Sequence, residues 1–166
     1  MYTIRTATVN DVDTIFSIAD TTWWATYSVI LSEEQLRFML NEIYSADKLA
    51  KQIANNVQTY LLLEEEDGTP VAFAAYSPRE EDANIYKLHK LYCLPQTQGK
   101  GYGKILINTV AQKTREAGKH LLELNVNRHN KALSFYQKMG FAVAYEEDIA
   151  IGPYWMNDYV MRKVLE

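Results

Sequence analysis

The stretch "LPQTQGKGYGKILI", residues 94 to 107, sets Gly99, Gly101 and Gly103 close together and runs straight into apolar residues at helical spacing. A glycine-rich turn opening onto a helix is an arrangement that binds phosphate. The first N–H groups of a helix lack intrahelical partners and carry the positive end of its dipole. Glycines let the chain curl until several N–H groups converge on one anion. Two phosphate-loop spacings fail on these letters. A P-loop needs glycine five positions before its Gly-Lys pair and Ser or Thr after it, where Gln98 and Ile105 stand. A dinucleotide fingerprint through Gly101 needs glycine at Lys104. What stands is Gln-x-x-Gly-x-Gly, formed by Gln98, Gly101 and Gly103, with Gly99 in addition.

Three other groups are chemically able. His89, in "KLHKL", carries an imidazole that can take a proton at physiological pH, or can equally be a satisfied ring on a strand. Strand alternation puts it on the face of Cys93. Cys93 is the sole cysteine, which excludes an internal disulfide and fits a reducing compartment; no other histidine has an evident place beside it to make it a nucleophile. Tyr136 lies in "VNRHNKALSFYQKMGF", where Asn130 reads as a helix N-cap, Phe135 and Met139 as core, and Gly140 as a C-cap. The acidic run Glu64 to Asp67 reads as a solvated strand end, and no metal site is expected.

The elements around these groups follow from periodicity. "YTIRTATV" is an opening strand, after which Asn10 or Asp11 caps a helix with Val12, Ile15, Phe16, Ala19 and Trp23 on one face. Ser32 and Gln35 form a capping box ahead of Leu36, Met39, Leu40 and Ile43, and a short helix follows over Lys48 to Ile53. "TYLLLEEEDGTPVAFAAYS" is a hairpin around Asp67-Gly68, and "NIYKLHKLYCL" is a third strand stopped by Pro95. Residues 103 to 117 form a helix, "HLLELNV" a strand, Asn130 to Met139 a helix, and Phe141 onward with "DYVMRKVL" two last strands. The order predicts an α/β fold whose mixed, partly antiparallel sheet of about six or seven strands is flanked by helices.

At 166 residues with no repeat or linker, the chain reads as one domain over 1–166. The formal charge of -4 and the scattered basic residues exclude the stripe that a nucleic-acid binder uses. No apolar run is long enough to span a membrane and the N-terminus lacks a secretory apolar region, so cytoplasm is the expected compartment. Trp23, Trp24, Tyr27, Tyr44, Tyr154 and Trp155 fall near segment ends, where such rings line clefts or pack a core rim.

Together the glycine loop and the "NRHNKALSFYQKMGF" stretch, with one helix and one strand between them, resemble the GNAT superfamily of N-acetyltransferases. "TTWWATY", "LRFMLNEIYSADKLAKQI" and "DYVMRKVL" extend the likeness over the chain, toward the PaiA type of polyamine acetyltransferase. The resemblance implies a sheet splayed at its cofactor site and direct acetyl transfer from acetyl-CoA to a primary amine, a small amine or polyamine above others. By resemblance, the backbone at Tyr92, Cys93 and Leu94 binds pantetheine. Gln98, Gly99, Lys100, Gly101, Tyr102, Gly103 and Lys104 cradle the pyrophosphate, and Asn130 reaches the cofactor. Tyr136 matches the general acid toward the departing sulfur. His89 falls where many relatives carry a glutamate base, a departure that leaves the base open between His89 and a water relay. For a polycationic acceptor the candidates are Trp23, Trp24 and Tyr27, Glu33 and Glu34, and Asp148 or Asp158. Protein N-terminal or lysine acetylation, or a non-catalytic CoA-responsive module, are the competing readings. The oligomeric state is open, a homodimer included.

Overall fold

The computed structural model describes residues 1–166. The alternating start of the chain forms β1 (Tyr2–Thr6), which pairs antiparallel with β2 (Thr59–Glu65). Asp67 and Gly68 turn β2 into β3 (Pro70–Pro78), and β3 pairs antiparallel with β4 (Ile85–Cys93). β4 runs parallel with β5 (Leu121–Asn127), and the hairpin of β6 (Ala142–Ile151) and β7 (Tyr154–Val164) joins β5 through β7. The result is one seven-stranded sheet in the order β1-β2-β3-β4-β5-β7-β6, the expected mixed arrangement.

Its central strands are apolar on both faces because both faces are covered. Leu61, Leu63, Ala72 and Ala74 pack with α4 (Tyr102–Glu116), and α5 (Ala132–Lys138) leans on the same core. Tyr60, Leu62, Phe73 and Ala75 point the other way, into α1 (Val12–Tyr27), α2 (Glu33–Tyr44) and α3 (Ala46–Ala54). No helix is long and apolar enough to cross a membrane.

Local signals depart from expectation in small ways. Asp11 stands at the N-cap of α1 but makes no side-chain cap bond; Thr8 caps the single turn over Val9–Asp11 ahead of it, accepting from the Asn10 N–H at 3.3 Å while its own N–H donates to Asp11 at 2.8 Å. Phe16 is 37% exposed, and Ile18 takes a buried place on α1 instead. Ser32 accepts from the Gln35 N–H at 3.1 Å, but the Gln35 amide donates to the Trp155 carbonyl at 3.0 Å. Only half of the expected capping box forms, since the Gln35 side chain turns to β7 and not back to the Ser32 N–H.

The pairing of β4 with β5 is short. It covers Ile85↔Leu121 to Leu88↔Leu124, while β4 continues to Cys93 and β5 to Asn127. Two features separate the strands. Against β3 the register slips between Ala75↔Lys90 and Tyr76↔Leu88, leaving His89 as the extra residue of a bulge, and bulges bend and twist a strand. β5 meanwhile stays with β7 out to Asn127↔Asp158. Beyond Leu88 the sheet therefore has an open slot.

The β6–β7 turn is fastened to α2. Gly152 sits at φ 57°, and a Cβ built there would lie 2.3 Å from the Phe38 ring. Phe38 also packs on Tyr154 with ring centroids 5.4 Å apart. Gly152→Ala is expected to destabilise the fold by about 1–3 kcal/mol through overpacking on top of backbone strain, and Phe38→Ala in the same chain should return part of that loss. Urea denaturation measures both. An unchanged midpoint in the single variant would mean that the turn does not dock as described.

Candidate functional site

The slot between β4 and β5 opens into a cleft of about 620 Å³. β4 from Leu88 to Cys93, β5 from Leu124 to Val126, the glycine loop, α5 and the C-terminal end of α1 form its walls. Pro95 ends β4 and starts a single tight turn over Pro95–Thr97, which feeds the chain into the loop. Gly99 and Gly101 stand at φ 89° and 78°, in the left-handed region where an L side chain is strained. Gly101 is the N-cap of α4 and offers no side-chain acceptor, so the first N–H groups of that fifteen-residue helix have no capping partner. They border the cleft. Gly103 serves packing, since a Cβ there would meet the Phe135 ring at 3.3 Å. An uncapped helix start beside an open backbone slot fits the pyrophosphate and pantetheine parts of a coenzyme A ester.

Most residues assigned to that role stand around the cleft. Tyr92, Cys93, Gln98, Gly99, Gly101, Tyr102, Gly103, Lys104 and Asn130 all line it. Lys100 and Leu94 do not. Lys100 pairs with Glu65 at 2.7 Å, and the Tyr102 hydroxyl donates to the same carboxylate at 2.7 Å, so these two tie the loop to β2. The Leu94 N–H donates to the Val71 carbonyl at 2.9 Å, which removes it as a donor to a ligand. Asn130 accepts from the Ala132 N–H at 2.9 Å and starts α5 two residues later than expected.

Tyr136 borders the cleft, and burial pushes its phenol well above the ordinary range, the neighbouring Tyr27 and Cys93 adding to the shift. It therefore stays protonated at neutral pH, as a proton donor must. Burial also pushes the Cys93 thiol up to about 11, which keeps it un-ionised and argues against a nucleophile. His89 accompanies them in the cleft wall, its Nε2 2.7 Å from the Ser77 hydroxyl. Burial, with Lys87 and Lys90 nearby, pushes its pKa down to about 3. A ring so reluctant to take a proton is a poor base, so the structure speaks against His89 in that role.

The acceptor candidates divide. Tyr27 lines the cleft, and the Asn130 amide reaches its hydroxyl at 3.5 Å. Trp23 is core, 3% exposed and packed against Tyr27 and Tyr44. Trp24 donates to Asp20 at 3.2 Å beneath the Arg37 guanidinium, outside the cleft. Glu33 pairs with Arg37 at 2.9 Å and Asp148 with Arg128 at 2.8 Å on the surface, and Glu34 lies away from the cleft wall. Asp158 is buried beside the slot. Sequence reasoning passed over Lys90 and Asn125. The signals were a lysine where β4 should turn inward and the polar alternation Glu123, Asn125, Asn127 along β5.

Lys90 is 6% exposed, donating to Gln58 at 2.9 Å, to Gln52 at 3.3 Å and to the Tyr60 hydroxyl, with the Tyr44 and Tyr60 rings beneath it. All its donors are used, so it is a satisfied buried amine. Burial pushes its pKa down to about 7.

A family model described as an acetyltransferase (GNAT) domain matches residues 30–157. The chain is 29% identical to the spermidine N(1)-acetyltransferase of Thermoplasma acidophilum over 98% of its own length and 97% of that protein. It superposes on a crystal structure of the PaiA N-acetyltransferase from Thermoplasma acidophilum in complex with coenzyme A, with TM-score 0.84 and 99% of both chains covered. The fold is shared also by a GNAT protein of Rhodopseudomonas palustris at 21% identity, with TM-score 0.83 over 98% of this chain and 95% of that one.

The Lys90 amine makes stability depend on pH. Between about pH 7 and the ordinary lysine value of 10.5, the unfolded chain holds a proton that the folded chain releases, so this group's contribution to stability grows as pH rises. Its limiting slope is about 1.4 kcal/mol per pH unit. Lys90→Met should flatten the rise in unfolding free energy between pH 7 and pH 9 relative to the parent, as read by urea denaturation at both pH values. Parallel pH curves would show that Lys90 titrates normally.

Proposed function

The chain belongs to the acetyltransferase (GNAT) family and is an N-acetyltransferase that uses acetyl-CoA as co-substrate; we propose that its acceptor is a small primary amine, with polyamines favoured. The observation that carries the mechanism is the parting of β4 and β5 beyond Leu88 beside the uncapped start of α4. Acetyl-CoA brings an activated thioester to that slot. The β4 edge from His89 to Cys93 has no partner strand on the β5 side and offers main-chain groups to an extended ligand. The first turn of α4 and the loop around Gly99 and Gly101 receive the diphosphate.

Tyr136 holds its proton at the inner end of the slot, ready to protonate the leaving sulfur. The proton that the amine sheds passes through water, since His89 is a weak base and Lys90 is fully engaged. Two observations support a polyamine. The Thermoplasma relative is named a spermidine acetyltransferase. Beside the slot lies Asp158, a buried carboxylate with an oxygen that has no partner. Cationic acceptors supply what that oxygen lacks.

Thiol release from acetyl-CoA with a panel of spermidine, a free L-amino acid and a lysine-containing peptide is the test. Spermidine should be used with the highest kcat/KM, and Tyr136→Phe should lower turnover by very roughly 10²-fold while leaving coenzyme A affinity unchanged. Preference for the peptide would overturn the small-amine reading. Full turnover in Tyr136→Phe, with chemistry limiting the rate, would take the phenol out of the mechanism.

A further inference from the structure

On the sheet face opposite α4, a second cleft of about 340 Å³ opens next to the first and shares His89 as a wall. Between the two lies a cluster built on three strands. Asp158 on β7 and Glu147 on β6 stand directly across their ladder from one another. Asn125 on β5 joins them, its amide donating to Glu147 at 2.9 Å and to Asp158 Oδ2 at 3.2 Å. Asn125 lines the first cleft and Glu147 the second.

This cluster is short of hydrogen-bond donors, and no cation is in salt-bridge contact with its carboxylates. Asp158 is 6% exposed, yet its Oδ1 has no hydrogen-bond partner, and neither has Asn125 Oδ1. Native proteins rarely leave a buried carboxylate oxygen so. The nearby cations are committed elsewhere. Arg79 and Arg162 grip Glu123 at 3.0 and 2.9 Å, and Arg79 also meets Glu81 at 3.2 Å. Arg128 spends its guanidinium on the Asp158 main-chain carbonyl at 3.1 Å and on Asp148 at 2.8 Å. Only Lys87 in the second cleft forms no ion pair; it shares that lining with Glu80, Glu81, Glu123 and Glu147, and its charge acts on Glu81 and Asp158. Burial, and after it the charge of Glu147, lifts the Asp158 carboxyl above its ordinary range, although the Asn125 hydrogen bond and the charges of Lys87 and Arg128 act the other way.

We propose that Glu147, backed by Asp158 and joined to it through Asn125, seats a second ammonium group of the acceptor in this outer cleft. The inference rests on the amine-acetylating reading above and adds where the remote charge goes. One amine of the acceptor occupies the slot between β4 and β5, its chain passes His89, and the other ammonium lies against Glu147. A neutral-tailed amine fills the slot but brings no charge to Glu147.

The test is calorimetric binding of hexamethylenediamine and of hexylamine to the intact protein with coenzyme A present, for the parent, Glu147→Gln and Asp158→Asn. Glu147→Gln keeps an acceptor for the Asn125 amide and removes only the charge. The parent should bind the diamine more tightly than hexylamine. Glu147→Gln should weaken the diamine about tenfold, the scale of one partly desolvated ion pair, with a distinctly smaller loss for hexylamine. Asp158→Asn should act in the same sense; because Asp158 is buried and that variant can misfold, the half-buried Glu147 decides. Equal losses for the two amines, or an unchanged diamine affinity, would overturn the site. Thiol release with hexylamine reports on the amine-acetylating reading separately, so that reading can stand while the outer cleft fails.

Discussion

Everything in this molecule turns on a sheet that is made to come apart in its middle. Backbone N–H and C=O groups inside a protein must find partners, and an interior strand edge without one is costly. β4 and β5 nevertheless stop pairing after Leu88↔Leu124. The bulge at His89 twists β4 away, while β7 keeps hold of β5 to its end. What the strands lose in mutual hydrogen bonds they leave available to a ligand that can lie along them.

The slot stays open because both sides of the sheet are braced. α4 holds one face of β2 to β5 through Leu106, Ile107 and Val110, and the three N-terminal helices hold the other through Ile15, Leu36 and Met39. Both cores take in residues from either side of the gap, Leu91 and Val126 in one and Tyr92 and Met156 in the other. The same bracing distinguishes two buried charged side chains that a burial list would treat alike. Lys90 has every donor used by Gln52, Gln58 and Tyr60 and belongs to the scaffold. Asp158 keeps an oxygen without a hydrogen-bond partner beside the slot.

Strand and helix order, the mixed sheet and the glycine loop were legible because each rests on local physics. Asp67-Gly68 specifies a turn, Pro95 ends a strand, and the apolar stripe beginning at Leu106 specifies a helix. The parting of β4 from β5 was legible only through the likeness to a family, since a slot is a relation between strands and leaves no periodicity of its own. The acceptor side was least legible. Tryptophans at a helix end look alike whether they line a cleft or fill a core, and packing by Tyr44 and Tyr27 put Trp23 inside. Carboxylates such as Glu33 and Asp148 look free in sequence; Glu33 pairs with Arg37 one helical turn away, which spacing could have shown, whereas Asp148 is partnered by Arg128 from another element, which it could not. His89 looked like a base because an isolated imidazole is one, but its burial among lysines decides its proton affinity.

The central claim is that the unpaired β4 edge and the uncapped start of α4 together hold coenzyme A. Hydrogen exchange of the backbone amides with and without coenzyme A, followed by mass spectrometry at peptide resolution, tests it most directly. The account predicts slowed exchange in the peptides covering His89 to Cys93 and Gly99 to Lys104, with the far ends of β1 and α3 unaffected. Binding of coenzyme A that left both of those peptides unprotected would contradict it.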